Sequence, residues 1–558
     1  MKNLSLIFLV FMIGLLAISC KKDIRYTEPE IKNKMDESVS ILSTSRVFYV
    51  SPSGNDKNNG SSLSTPWKTI TKVNAQKFIA GDQVLFEGGK TFAGSLEITN
   101  SGASGSYIKF ASYGVGKALV NAGTGNGIYV YNNSFVWINN LVIYGGWNQG
   151  TQSGNDGYGV FFYNTLLNAV KLGNVFISYC DIYGFRNGGI GVMSYPSDKS
   201  QTGYADINVS YNTVHNNGLA GIITCGSAAA AGSTAYAFTN VYVGNNKVYD
   251  NLGVKSIITK HTGDGILIGD AAGGKVEKNV AYNNGWYNMT PTEGPAAIWC
   301  YDSKNIIFQY NEAHHNGTGS GKPDGDGFDL DGGATNCIMQ YNYSHDNYAA
   351  GFLVWEYGNK RISNSNNIIR YNISQNDNTN SSFYAGITLG PDCNNNLIYN
   401  NTIYSNKGSS VWLHGGTGNK FANNIFYVAK SGAPVIITAN NSCWFFDNDY
   451  YNPYGLKITL GTTTYTSLTA FRVTGNEKLN GINYGYSVNP FLSNPGYGGN
   501  INTGDPSVLT NYMLKAASPL INKGFNLTTW GINPGSADFK KATIPYNGAY
   551  DIGACEFH

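Results

Sequence analysis

Between about Asn140 and Asn424 short apolar runs alternate with polar corners, and one corner returns again and again with Asn. Ser210-Tyr-Asn212, Gly244-Asn-Asn246, Glu277-Lys-Asn279, Gln309-Tyr-Asn311, Gln340-Tyr-Asn342, Arg370-Tyr-Asn372, Tyr399-Asn-Asn401 and Ala422-Asn-Asn424 recur at intervals that shorten from 34 to 23 residues. A second column precedes the first in each repeat: a small residue, then alternating apolar positions. It reads Gly265-Ile-Leu-Ile268, Ala297-Ile-Trp-Cys300, Gly327-Phe-Asp-Leu330, Gly351-Phe-Leu-Val354, Gly386-Ile-Thr-Leu389 and Ser410-Val-Trp-Leu413. Two short strands per repeat, with turns between, define one coil of a solenoid, because a single coil can bury its inner face only against its neighbours. The 3.6-residue periodicity of helical repeats is missing. Stacked coils pair as parallel strands about 4.8 Å apart. An Asn fixed at one corner suits a ladder of side-chain amides and tolerates a left-handed turn. The pattern therefore predicts an all-β parallel β-helix.

The second column also sets which side chains face out. Ile266, Ile298, Phe328, Phe352, Ile387 and Val411 align, as do Ile268, Cys300, Leu330, Val354, Leu389 and Leu413. Both rows are apolar and must point inward, since side chains alternate along a strand. One outward row then reads Leu267, Trp299, Asp329, Leu353, Thr388, Trp412, and the next Gly269, Tyr301, Asp331, Trp355, Gly390, His414. Rings beside carboxylates on an outer face suit a sugar chain, and an open groove is expected from about Asp264 to His414. Asp329 and Asp331, two apart on one strand, place their carboxylates about 7 Å apart. Asp324 and Asp326 precede them at the corner, where alternation can fail. Asp264 aligns with Asp326 two coils earlier, about 9.6 Å along the axis.

Glycoside hydrolysis needs one carboxylic acid to protonate the leaving oxygen and one carboxylate to activate water or attack, and crowded acids raise one another's pKa. Asp329 and Asp331 are the first candidates for the pair, with Asp326 and Asp264 as alternates. Trp299, Tyr301, Trp355 and Trp412 are candidate sugar platforms. His414, His345 and Glu356 are candidate polar contacts; Glu356 and Glu293 are also secondary acids. His314, His315 and His345 are read as residues of turns after the Asn strand, and the turn of His345 leads into Gly351–Glu356. An open groove suits internal attack on a polymer.

The repeat, together with its flanks, resembles the right-handed parallel β-helix superfamily of pectate lyases, polygalacturonases and related bacterial polysaccharide-degrading proteins. Phe48-Tyr-Val-Ser-Pro-Ser-Gly-Asn-Asp56, Pro66-Trp-Lys-Thr-Ile70, Gly81-Asp-Gln-Val-Leu-Phe86 and Ala111-Ser-Tyr-Gly-Val-Gly116 look like its N-terminal cap. Ser518-Pro-Leu-Ile-Asn522 and Asp551-Ile-Gly-Ala-Cys-Glu556 look like its C-terminal end. Asp324-Gly-Asp-Gly-Phe-Asp-Leu-Asp-Gly-Gly333 resembles the acidic strand of bacterial β-helix glycosidases. The resemblance implies a right-handed helix, polysaccharide degradation and no obligatory cofactor. The polygalacturonase Gly-His-Gly and Arg-Ile-Lys motifs are missing, so residue roles are not carried over.

Composition narrows the rest. Charged residues are 13% of the chain and hydrophobic ones 42%, with 69 Gly and 40 Tyr among 558 residues, a mixture for many short strands and turns rather than disorder. A formal net charge of +2 gives no electrostatic reason for a nucleic-acid partner. The organisation expected is a leader over 1–20, a polar tether over 21–45, a cap with the first coils over 46–120, a catalytic β-helix core over 121–440, and C-terminal coils with a covering extension over 441–558. Lys2, the apolar run Leu4–Leu16 and Ala17-Ile-Ser-Cys20 resemble a bacterial lipoprotein signal, which implies export and a lipid on Cys20 as the only membrane attachment. The remaining seven Cys lack metal-ligand spacing and read as small buried hydrophobes. A monomer acting on a polysaccharide is expected. Two alternatives stay open: a lyase using Ca²⁺ on Asp324 and Asp326, for which the base is the weak point because Lys260 and His261 only border the rows and Arg361 lies in a loop, and a non-catalytic glycan-binding rod.

Overall fold

The computed structural model describes residues 45–358, 361–379, 383–439 and 442–558. The leader, Cys20 and the tether through residue 44 lie outside them. Among the described residues, three long sheets of 15, 14 and 13 strands carry the fold, and successive coils add one strand to each. One coil shows the plan: Asp326–Leu330 lies in the second sheet, Ile338–Gln340 in the first and Tyr343–His345 in the third, after which Phe352–Val354 begins the next coil. The pairings are parallel until the closing hairpin Ile458–Leu460 with Thr463–Tyr465. One continuous apolar core runs inside from Val50 to Phe471.

The corners explain why this chain coils. The residue before each recurring Asn takes a left-handed conformation, at φ 58° for Tyr211, 55° for Tyr310 and 59° for Tyr341. That conformation is unfavourable for a bulky residue. It is held because the Asn turns inward and satisfies the corner backbone. The Asn342 side-chain amide donates to Asn372 Oδ1 at 3.0 Å and to Phe308 O at 2.9 Å, and its backbone N–H also reaches Asn372 Oδ1 at 3.0 Å. The same bonds link Asn212, Asn246, Asn279, Asn311, Asn342, Asn372, Asn401, Asn424 and Asn448, and Glu477 Oε1 accepts from the last. A second ladder, not foreseen in the sequence, runs along the next corner through Asn217, Asn251, Asn284, Asn316 and Asn347 to Asp377. Each rung removed would strand buried groups at roughly 1–3 kcal/mol.

Both ends of the core are shielded. The short helix Ile70–Asn74, N-capped by Thr69, lays Ile70 and Val73 against the N-terminal end. The C-terminal segment covers outer faces of the first and third sheets, where Leu492, Leu509 and Tyr512 join Tyr343, Tyr371 and Ile373 in a second apolar cluster. The second sheet's outer face is left to its own turns. Seven free cysteines are present among the described residues, six of them buried. No helix of the described residues is long and apolar enough to cross a membrane.

Candidate active site

The register read from the sequence is the register of the structure. Leu267 pairs with Trp299, Trp299 with Asp329, Asp329 with Leu353, Leu353 with Thr388 and Thr388 with Trp412, all on the outer face of the second sheet. Alternation does break at the start of each strand. A Cβ on Gly327 would collide with Ser344 Oγ and Asn347 Nδ2 inside the coil, so both Gly327 and Phe328 point inward. The break returns the preceding residue to the outside, and Asp326 and Asp264 join Asp329 and Asp331 on one face.

That face is not the open groove expected. Asp329 is 6% and Trp299 4% exposed, and Leu353 and Thr388 are buried too. The turns entering the strands fold over them. They enclose a cavity of about 870 Å³ with Asp324, Asp329 and Asp331 on its floor, His261 and Glu293 at one side, and Trp355, Tyr357, Phe383 and Tyr384 at the other. A smaller cavity of about 380 Å³ shares His261 and Tyr301 with it and continues toward Tyr158 and Tyr195.

The acids on the floor differ in their partners. Asp324 Oδ1 accepts the Tyr384 hydroxyl at 2.6 Å. Burial raises the Asp324 pKa, against the pull of that hydroxyl, the Gly294 amide and the nearby His261. Asp326 Oδ1 accepts the Ala350 amide at 2.6 Å, while its Oδ2 has no partner; burial and Asp324 push it well above the carboxylate range. Asp329 Oδ1 has no partner either, and burial with Asp331, Asp326 and Asp324 around it drives its pKa far up. Asp331 is pushed up to about 8, by burial first and then by Asp324, so it holds its proton at neutral pH. Asp324 and Asp326, the pair expected to hold calcium if any is bound, thus each give one oxygen to a protein donor. The cluster of three candidate metal ligands among the described residues lies elsewhere.

Asp264 serves its neighbours. Its Oδ2 lies 3.0 Å from His261 Nδ1 and its Oδ1 accepts the Trp299 indole N–H at 3.1 Å. Burial alone would lower the His261 pKa, but Asp264, Glu293 and Asp331 raise it to about 9, so a cation stands at the cavity wall. Trp299 is accordingly a fixed wall and not an exposed platform. Trp355 lies across Gly390, where a Cβ would meet its ring, and presents itself to the cavity. Tyr301 also faces it, with its hydroxyl 2.9 Å from Cys225 Sγ. Trp412 and His414 stack on each other in the coil after Gly390 and border the cavity through Phe383, which stacks on His414, and through Trp355, which meets His414 edge-on.

Two expected contacts fall outside. His345 ends a strand of the third sheet, fully buried between Glu312 and Asp346, because the corner after Tyr341 turns the chain away from the second sheet. His314 likewise ends a strand, not a turn. Glu356 stands just beyond the site and accepts the amides of Gly333, Gly358 and Asn364, which shape the following turn. Arg361, read as a loop residue, is buried against Asp270 and Asp302. Sequence reasoning passed over Tyr384, Phe383 and Tyr357, which belong to turns without a repeat, and left His261 at the border; Asp264 three residues later was the available signal for it.

A sequence family described as the right handed beta helix region matches residues 233–368. The fold is a right-handed parallel β-helix. A lacto-N-biosidase of Bifidobacterium longum subsp. longum is 27% identical over 519 residues, covering 76% of this chain and 31% of that protein. The chain thus spans about a third of the length of this curated relative. Among solved structures, a GH136 lacto-N-biosidase from Eubacterium ramulus superposes with a TM-score of 0.53 at 21% identity, over 67% of this chain and 68% of that one. A pectate lyase superposes over 93% of this chain and 98% of that one, at 16% identity and a TM-score of 0.44.

Proposed function

We propose that the chain is a glycoside hydrolase in which Asp331 protonates the leaving oxygen and Asp324 is its carboxylate partner, acting on a short stretch of glycan lodged in the walled cavity. The observation that carries this reading is the placing of two carboxyl groups, Asp331 and Asp324, with Trp355, Tyr357, Phe383 and Tyr384 around one cavity, where burial raises the pKa of both acids. Asp331 gives its proton to the glycosidic oxygen as the bond to the anomeric carbon breaks. Asp324, with the Tyr384 hydroxyl, the Gly294 amide and the His261 cation favouring its charged form, either attacks that carbon or takes a proton from the attacking water. Asp329, first choice from the sequence, is less suited to the anionic role because burial without a donor keeps it neutral. Trp355, Tyr357 and Phe383 supply faces and edges for sugar rings. The similarity to a lacto-N-biosidase supports hydrolysis over elimination, and the walls at Lys322–Asp324 and Phe383–Tyr384 favour a few sugar units over the long groove of an endo-acting polymer enzyme.

The test is a screen of the chain lacking residues 1–20 against neutral, amino-sugar, uronic and sulfated glycans, with new reducing ends and unsaturated-product absorbance followed together, with and without EDTA. Reducing ends alone, unaffected by EDTA, are expected. Absorbance rising with them would replace hydrolysis by elimination. Export and a lipid on Cys20 complete the proposal; the full chain should partition into detergent and Cys20→Ala should not.

A further inference from the structure

On the third sheet, Glu312, His314 and His345 bring one potential ligand atom each to within 4.8 Å of one another. Topology does this. Glu312 and His314 are two apart on one strand and share its outer face, and His314 pairs in register with His345 one coil on. The two imidazoles stack with centroids 4.8 Å apart and planes 18° apart, and His345 Nε2 lies 3.2 Å from Glu312 Oε1. All three side chains are buried.

A simple aromatic ladder accounts for part of this. Tyr183, His215, Tyr249, Tyr282, His314 and His345 stack ring on ring up the same face. The lower His of that ladder shows what a plain rung needs: His215 Nε2 meets Asp181 at 3.1 Å, and both neighbours are tyrosines. At the upper end a second imidazole, His345, follows where a tyrosine would stand, and His314 Nε2 is buried without a partner in hydrogen-bond geometry, with the Asn502 side chain nearby. His314 Nδ1 is engaged with His315 Nδ1 at 2.9 Å. Donation of the Nδ1 proton to His315 leaves the Nε2 lone pair buried, which is unfavourable if nothing meets it. His345 is oriented as metal-bound imidazoles are, with Nδ1 3.0 Å from the Asp346 carboxylate.

We propose that Glu312, His314 and His345 bind a divalent transition-metal ion, zinc in the first instance, in a structural site beneath the C-terminal segment. Two imidazoles and a carboxylate are donors zinc accepts, at about 2.0–2.2 Å, so the ligand atoms draw together on loading. Zinc replaces the proton shared by His345 Nε2 and Glu312 Oε1; that proton passes to the buffer and no electron moves. Glu312 also accepts the amides of Ile501 and Asn502 at 2.6 and 2.5 Å, so the ion ties two coils to the segment that covers them.

The experiment uses the tag-free chain, stripped with EDTA, dialysed, and titrated with zinc sulfate by calorimetry and elemental analysis, with cobalt(II) as a visible probe. One zinc per chain, a rise in melting temperature on loading, and cobalt absorption removed by zinc are expected. His314→Ala and the bulkier His314→Gln should each lose at least ten-fold in affinity while melting in EDTA near the wild-type temperature. No zinc uptake by the stripped wild type overturns the site, and so does wild-type affinity in either folded variant.

Discussion

On the second sheet, Asp326 and Asp329 are buried with one oxygen each lacking a donor, and the group around them is pushed toward the neutral, protonated state. On the third sheet, Glu312 is as deeply buried, yet His345 and the amides of Ile501 and Asn502 fill its oxygens, and against the upward push of burial they hold its pKa below the ordinary value. Depth is common to both. What differs is the supply of donors, and it separates carboxyl groups pushed toward the neutral form from a carboxylate that fastens one part of the chain to another.

The comparison can be broken most sharply at Asp331. Asp331→Asn and Asp324→Asn should each lower kcat about 10³-fold or more, measured on whichever glycan the wild type cleaves, with the fold intact by circular dichroism. Wild-type turnover in both would move the chemistry elsewhere. Next in size, Glu312→Gln should cost about 3 kcal/mol in denaturant unfolding, because it leaves His345 with a broken buried pair; a change below the error of the titration would mean the third-sheet carboxylate fastens nothing.

The two regions should also respond to pH with opposite sign. Asp331 has a folded pKa, about 8, above its unfolded value, so its contribution is present at low pH and is lost as pH rises through about 8. Asp331→Asn should therefore melt higher than wild type at pH 9, with the gap narrowing as pH falls and closing only below the ordinary aspartate range. Glu312 has a depressed pKa, so its contribution is present above the ordinary glutamate range and lost as pH falls below it; the deficit of Glu312→Gln should shrink in acid. Parallel pH trends in the two variants would dissolve the distinction. Smallest of all, Trp355→Ala should raise KM several-fold with little change in kcat, consistent with roughly 1 kcal/mol for one aromatic contact. An unchanged KM would mean that sugar does not touch this ring.

The strand register, inward rows and acidic strand could be read from sequence because a period of two and a shared core leave each row one assignment. The outward turn of Asp326 and Asp264 was legible only as a corner where alternation can fail; the cause, a crowded interior at Gly327, needs three dimensions. Burial of Trp299 and the cavity walls were not legible. Tyr384, Phe383 and Tyr357 come from turns of irregular length whose path depends on what they pack against. His345 was misplaced because a turn in the sequence does not state which of three faces the chain takes next.

The asparagine ladders are indifferent to all of that variation. The interval between rungs varies from 34 residues at Asn212–Asn246 to 23 at Asn401–Asn424, while the amides pass their bonds on unbroken from Asn212 to Asn448. Every rung donates toward the C-terminal end, and Glu477, pushed up to about 7 by burial, is the stop that receives the last donor. The rod can therefore be lengthened by whole coils, and its turns rewritten, without renegotiating the scaffold. The ladders and the cavity walls thus draw on different stretches of the chain, and exchange of the turn 319–323, which spares Asn316 and Asp324, with the matching turn of another such rod is a practical route to reshaping the cavity.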